Sequence, residues 1–169
     1  MRTKPDRNEL LLAVHPTTYG FGWVVFEGPD TPVDWGMASA RANRPKKLHA
    51  RFERLLDRYA PGVLVMESFE EAAFRRSQSI KELCRWMTDH ARARRMGTYH
   101  LNRNVVANCF GQMGARSRHA IAEVIAKRLP VFAHRLPPER KPWMPQDPRQ
   151  SLFDAAALGL TWFALMGMT

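Results

Sequence analysis

Val63-Leu64-Val65-Met66 is an unbroken apolar run that ends on Glu67. A strand built from it has no polar side to give to water, so it must be covered on both faces. Helical patterns flank the run on either side in sequence. Upstream, Leu48, Phe52, Leu55, Leu56 and Tyr59 fall at i, i+4, i+7, i+8 and i+11, an apolar stripe with the period of a helix. Pro61-Gly62 stops that helix. Downstream, Ile80, Leu83, Cys84, Met87 and Ala91 mark a longer helix over roughly 77–96, with Gly97 placed to end it. A double-faced strand between two amphipathic helices confines the chain to layered α/β architectures.

The rest of the chain fits that frame. Leu10 to Val14 is a second short apolar run, consistent with a buried strand. Phe21 to Glu27, rich in Val and aromatics, and Val33 to Ala38 read as two more strands, joined by the turn Glu27-Gly28-Pro29-Asp30. Their close spacing predicts an antiparallel meander. Thr98 to Leu101 predicts a short strand, and Ile121, Val124, Ile125 and Leu129 align on a helix over 117–129. Prolines at 130, 137, 138, 142, 145 and 148 predict an irregular loop over 130–148. Asp147-Pro148 reads as an N-cap followed by a proline in the first helical position, opening a final helix that runs from Pro148 to the end. The order βββ-α-β-α-β-α-α implies a five-stranded mixed sheet with helices on both faces, the RNase H-like arrangement. At 169 residues the expectation is one domain over 1–169, with 1–8 a flexible N-terminus.

Charge narrows the partner. Lys+Arg number 26 against 16 Asp+Glu, a formal net charge of +10. That balance suits a polyanion, nucleic acid first and an anionic membrane surface second. The basic residues cluster over 41–58, 75–103 and 116–128, while from Pro142 onward the only charges are Asp147, Arg149 and Asp154. Solvated helix faces would look similar, but clustered arginines also offer bidentate partners to phosphate oxygens. Two cysteines, Cys84 and Cys109, exclude a disulfide framework and point to a reducing, cytoplasmic setting. The charged Met1–Leu10 segment has no signal-peptide character. Residues 152–169 carry one charge and touch the lower length limit of a membrane span. Asp154, Gly159, Thr161 and Gly167 argue instead for a core helix lying on the sheet, with Ala155, Ala156, Gly159 and Ala164 allowing close packing.

Three polar residues stand at element ends. His15 follows the first strand, Glu67 ends the central one, and Asp154 lies in the first turns of the last helix. Ligand groups in open α/β sheets gather at the carboxyl ends of strands, so these side chains are expected to converge. Carboxylates brought together repel unless a cation neutralises them, and Mg²⁺ suits oxygen ligands. Each also has a structural reading. Glu67 could be a strand-end carboxylate beside Glu70 and Glu71, Asp154 an ion-pair partner of a helix arginine, and His15 a polar group below Gly20 and Gly22. The other histidines show no ligand spacing, and no phosphate-binding Gly-x-x-x-x-Gly-Lys-Ser/Thr occurs.

Together these segments resemble RuvC-like Holliday junction resolvases. His15-Pro16-Thr17-Thr18-Tyr19-Gly20-Phe21-Gly22-Trp23 is similar to the family's first motif, Asp-Pro, a short loop, then Gly and an aromatic. Val65-Met66-Glu67-Ser68-Phe69 resembles the second, an apolar strand ending in a catalytic Glu. Arg75-Arg76-Ser77-Gln78-Ser79-Ile80 resembles the polar start of the helix that follows, and Ser151-Leu152-Phe153-Asp154-Ala155-Ala156-Ala157-Leu158 the last motif. The resemblance spans about residues 10–163. It implies an Mg²⁺- or Mn²⁺-dependent endonuclease acting on branched DNA as a homodimer, by two-metal hydrolysis. It further implies metal ligation and catalysis by His15, Glu67 and Asp154, with Ser151 and Asp147 as weaker ligand candidates, and no membrane. Contact with nucleic acid falls to Arg75, Arg76, Ser77, Gln78, Lys81, Arg116 and Arg118. Two departures matter: the family's first Asp is His15 here, and the first Asp of its last pair is Ser151. A neutral imidazole has one free lone pair and cannot bridge two metals. The alternative is therefore a nucleic-acid-binding protein that kept the fold and lost cleavage.

Overall fold

The computed structural model describes residues 9–68 and 78–168. Five strands, β1 (Leu11–Pro16), β2 (Gly20–Gly28), β3 (Thr31–Ser39), β4 (Val63–Glu67) and β5 (Gly97–Leu101), form one sheet in the order β3-β2-β1-β4-β5. β1, β2 and β3 make the antiparallel meander, and β4 and β5 join in parallel beside β1. The helices are α1 (Arg44–Tyr59), α2 (Gln78–Ala93), α3 (Arg103–Gly111), α4 (Arg118–Arg128) and α5 (Gln150–Leu165). The chain is thus an α/β protein with the RNase H-like mixed sheet expected from its element order.

Side-chain alternation along the strands builds two cores. Leu12 and Val14 of β1, with Leu64 and Met66 of β4, meet α1 and α2 on one face. Leu11 and Ala13, with Val63 and Val65, meet α3, α4 and α5 on the other. Continuing the second series by two residues puts His15 and Glu67 on the α5 side of the sheet. This period-2 rule aims both at the same place.

Two glycines fix how α5 crosses the sheet. A Cβ on Gly22 would lie 2.3 Å from the Ser151 carbonyl oxygen, so the first turn of α5 rests directly on β2. A Cβ on Gly159 would lie 2.5 Å from the Phe26 ring, which pins the middle of the same helix. Gly22 is the register partner of His15. The absent side chain at Gly22 therefore sets the head of α5, and with it Asp154, beside the end of β1.

Several expectations change in detail. His15 lies inside β1 rather than after it. α3 was not anticipated: its nine residues carry no clear apolar stripe, and its start depends on Asn102, whose side chain accepts from the Asn104 backbone N–H. α2 ends at Ala93, and the chain turns through Arg95 in a left-handed conformation, φ 62°, so Gly97 opens β5 instead of closing the helix. The proline-rich segment is not wholly irregular, because Pro130–Arg135 forms a 3₁₀ helix around the buried Phe132. α5 begins at Gln150, after Asp147 and Pro148. Asp147 does act locally, accepting from the Arg149 backbone N–H at 2.9 Å. α5 lies on the sheet as a core helix with Ala155 and Ala156 buried, but Ala164 faces outward. No described helix is long and apolar enough to cross a membrane.

Candidate nucleic-acid site

His15, Glu67 and Asp154 come together. The His15 Nε2 lies 3.5 Å from Glu67 Oε2, and its Nδ1 lies 3.8 Å from Asp154 Oδ2. All three side chains are largely buried, at 10%, 6% and 15% exposure. Two arginines close the group. Arg103 Nε stands 3.6 Å from Glu67 Oε1, and Arg118 is ion-paired with Asp154 Oδ2. Gln150 Nε2 donates to the other Asp154 oxygen at 3.1 Å.

Local structure explains each position. Glu67 is the last residue of β4 and pairs in register with Leu101 of β5. Asn102 then caps α3, so Arg103 emerges at the same edge, one strand over. Arg118 opens α4 immediately after the N-cap Ser117, whose hydroxyl accepts from the Ala120 N–H. Packing of α4 on α5 carries this guanidinium to Asp154.

The arrangement bears on metal binding. A shared ion needs donors that point at one centre. Here one imidazole nitrogen faces Glu67 and the other faces Asp154, so the ring stands between the carboxylates. Each carboxylate also has a guanidinium beside it. The Nδ1 of His15 is buried without a hydrogen-bond partner, and among the described residues no group of three or more His, Cys, Asp or Glu could hold a metal ion. This donor set does not fit the two-ion site that the resemblance implies. What it does chemically is charge compensation: two buried carboxylates, with an imidazole between them, are balanced by two guanidinium groups.

The cluster opens on a cleft of about 1230 Å³. His15, Asp154, Arg103 and Arg118 line it, joined by Arg41 and Lys47 from the opposite wall. Tyr19 stands on the same wall, with the guanidinium carbons of Arg41 and Arg44 at 5.1 and 4.8 Å from its ring centroid. A wide groove with cations on both walls fits a phosphodiester backbone.

The other expected site residues fall differently. Ser151 is buried at the head of α5, its Oγ donating to the Pro148 carbonyl at 2.9 Å. Asp147 lines the cleft but is engaged by Arg149, whose Nη2 donates to Oδ2 at 2.7 Å. That hydrogen bond holds the Asp147 carboxyl below the usual carboxylate range. Arg116 is exposed in the loop before α4. Gln78 begins α2 and donates to Glu82 at 3.4 Å, and neither it nor Lys81 lines the cleft. Arg75, Arg76 and Ser77 lie outside the described residues. Sequence reasoning missed Arg103, Arg41 and Lys47 as cleft residues. Arg103 had a usable signal, since it follows a strand predicted to end at Leu101.

The shape defines the class: an RNase H-like α/β protein with a polar cluster at the carboxyl ends of its central strands. Within that class, the fold is the one found in RuvC-like Holliday junction resolvases. Thermus thermophilus RuvC in complex with a Holliday junction substrate superposes with a TM-score of 0.64 at 16% identity, covering 94% of this chain and 97% of that one. A second Thermus thermophilus RuvC structure gives 0.64 at 19% identity over the same shares. The yeast mitochondrial Holliday junction resolvase Ydc2 gives 0.65 at 12% identity, covering 95% of this chain and 80% of its own. No family model and no curated protein sequence matches.

Proposed function

We propose that this chain binds branched DNA, the four-way junction first, through the cleft at the strand ends, and that recognition is its main activity. The observation that carries the reading is the Arg103–Glu67–His15–Asp154–Arg118 cluster. The carboxylates are balanced from within the chain, while the cleft walls keep a surplus of cations for phosphate. The superposition on a RuvC–junction complex supports the choice of a branched substrate. We further propose that two copies act together on the two-fold symmetric junction, in the reducing cytoplasm, where Cys84 and Cys109 are free thiols.

A second reading, endonucleolytic cleavage with Mg²⁺ or Mn²⁺, has one observation in its favour. The Arg103 and Arg118 side chains are 63% and 40% exposed, so a phosphate entering the cleft can draw both away from Glu67 and Asp154.

The test incubates labelled junction, duplex and RNA with each metal, using wild type, Glu67→Gln and His15→Asp. Binding without cutting by wild type, with cutting gained in His15→Asp, supports the recognition reading. Cutting by wild type that Glu67→Gln abolishes replaces it with the nuclease reading. Junction affinity should also fall steeply with salt, since several Arg and Lys release counterions. Salt-insensitive binding, or none, would remove nucleic acid as the partner.

A further inference from the structure

The cleft continues past the polar cluster onto the proline-rich segment before α5. Gln146, Asp147 and Pro148 form part of its lining. Beyond them, 138–146 is exposed throughout. This stretch nevertheless has a defined shape. The Met144 N–H donates to the Lys141 carbonyl at 3.0 Å, and Arg140 Nε donates to the Met144 carbonyl at 2.7 Å, closing a turn over 141–144. Pro142 and Pro145 limit the backbone on either side of Trp143, so little conformational freedom remains to be lost on binding.

Trp143 sits on that turn at 77% exposure, the most exposed large apolar side chain described. The Lys141 ammonium lies 5.4 Å from the ring centroid. A flat aromatic surface held in water beside the Lys141 ammonium, on a stiff turn at the rim of a basic groove, is the kind of surface on which a nucleobase of a phosphate strand stacks. A protein groove could also take such a turn, but the continuity with the cationic cleft favours the nucleic acid. Trp143 is three residues from Gln146, so its Cα can be no more than about 10 Å from that of this cleft residue. That is within about three nucleotides of a phosphate held there.

We infer that Trp143 is a base-stacking residue, receiving an unpaired base from the branched DNA whose backbone lies in the cleft, with Arg140 and Lys141 on the adjoining phosphates. The inference rests on the DNA-binding reading above and assigns that site a preference: branch points with unpaired bases over closed duplex.

The test uses the 169-residue chain in fluorescence anisotropy with three labelled probes. They are a four-way junction with unpaired bases at the branch, a fully paired duplex, and a thymidine oligonucleotide. Trp143→Ala should weaken binding to the first and third roughly tenfold and leave duplex affinity unchanged. Trp143→Phe should restore most of the loss, and the oligonucleotide should quench tryptophan emission in wild type but not in Trp143→Ala. An equal loss on all three probes overturns stacking in favour of general contact. Unchanged affinity on every probe overturns it in favour of a protein partner. Wild-type protein that binds none of the probes overturns the DNA-binding reading itself, a result distinct from either.

Discussion

The cluster at the strand ends and the turn around Trp143 border the same cleft, yet they are held in place by different forces. His15, Glu67 and Asp154 are positioned from behind, by strand register and by the seat of α5 on Gly22. Trp143 is positioned by a short turn, its prolines and local contacts from Arg140 and Lys141, with its side chain in water. Chemistry that needs groups in fixed relation belongs in the first setting, where packing removes alternatives. Recognition of a variable substrate belongs in the second, where a contact can be made or withheld at little cost to the fold. A substitution under the cluster should therefore disturb the whole domain, and a substitution on the turn should disturb only binding.

The largest effect is expected at Gly22. Its substitution by Ala drives a methyl group into the Ser151 backbone carbon and oxygen, at 2.4 and 2.3 Å, and backbone cannot rotate away. Gly22→Ala should cost about 3 kcal/mol and lower Tm by about 10 °C. Trp143→Ala should move Tm hardly at all, since exposed positions change stability by less than about 0.5 kcal/mol. Calorimetry on both variants checks the pair. A mild Gly22→Ala would mean that α5 is not seated as described, and the cluster geometry would fall with it.

His15→Asp comes next. The substitution replaces the ring between two carboxylates with a third carboxylate. Loss of compensation in this buried setting should cost about 2 kcal/mol in a chelated buffer. Mn²⁺ or Mg²⁺ at well above its Kd should return a similar amount by mass action. Wild type should show little change in Tm with either ion, because Arg103 and Arg118 already balance Glu67 and Asp154. A large metal-induced rise in wild-type Tm would show that the internal cations yield readily, and would favour the nuclease reading.

A smaller change is expected when Asp154 is neutralised. Asp154→Asn releases Arg118 to the cleft and should tighten junction binding about two- to fivefold, the equivalent of one partly exposed ion pair. Arg118→Ala should weaken binding and reduce the salt slope by about one. Adding Asp154→Asn to Arg118→Ala should then gain nothing, because the released partner is gone. Additive effects in that cycle would separate the two residues functionally.

The fold was largely legible because its decisive signals are periodic. The double-faced run at Val63–Met66 demanded helices on both sides, and α1 with α2 covers one face while α3, α4 and α5 cover the other. His15, Glu67 and Asp154 could be grouped because strand ends and helix starts are local features that topology then collects. What could not be read is whatever depends on a contact between distant residues. Arg103 belongs to a short helix without an apolar stripe, and Arg118 reaches Asp154 only through the packing of α4 on α5. The ring standing between the carboxylates is also invisible in sequence, where an imidazole in place of a carboxylate reads only as a missing ligand. Trp143 was hidden differently: prolines mark a break in regular structure, but nothing in their spacing says that the residue between two of them is left in water.

The smallest predicted effect separates the cluster from its neighbour on the same helix approach. Asp147, like Asp154, is a carboxylate paired with an arginine, but the Asp147 and Arg149 side chains are 29% and 41% exposed. Solvent screening therefore limits the pair to about 1 kcal/mol or less. The hydrogen bond from Arg149 depresses the folded-state pKa of Asp147 below its ordinary value of 3.8. A carboxylate with a depressed folded pKa contributes stability that is present above its unfolded value and lost as pH falls through the folded one. Arg149→Met should therefore be slightly less stable than wild type at neutral pH, and the difference should vanish under acid conditions well below 3.8. Urea titrations of both proteins at the two pH values measure it. A difference that persists in acid would mean that Arg149 stabilises the head of α5 by packing, so that Asp147 is only its neighbour.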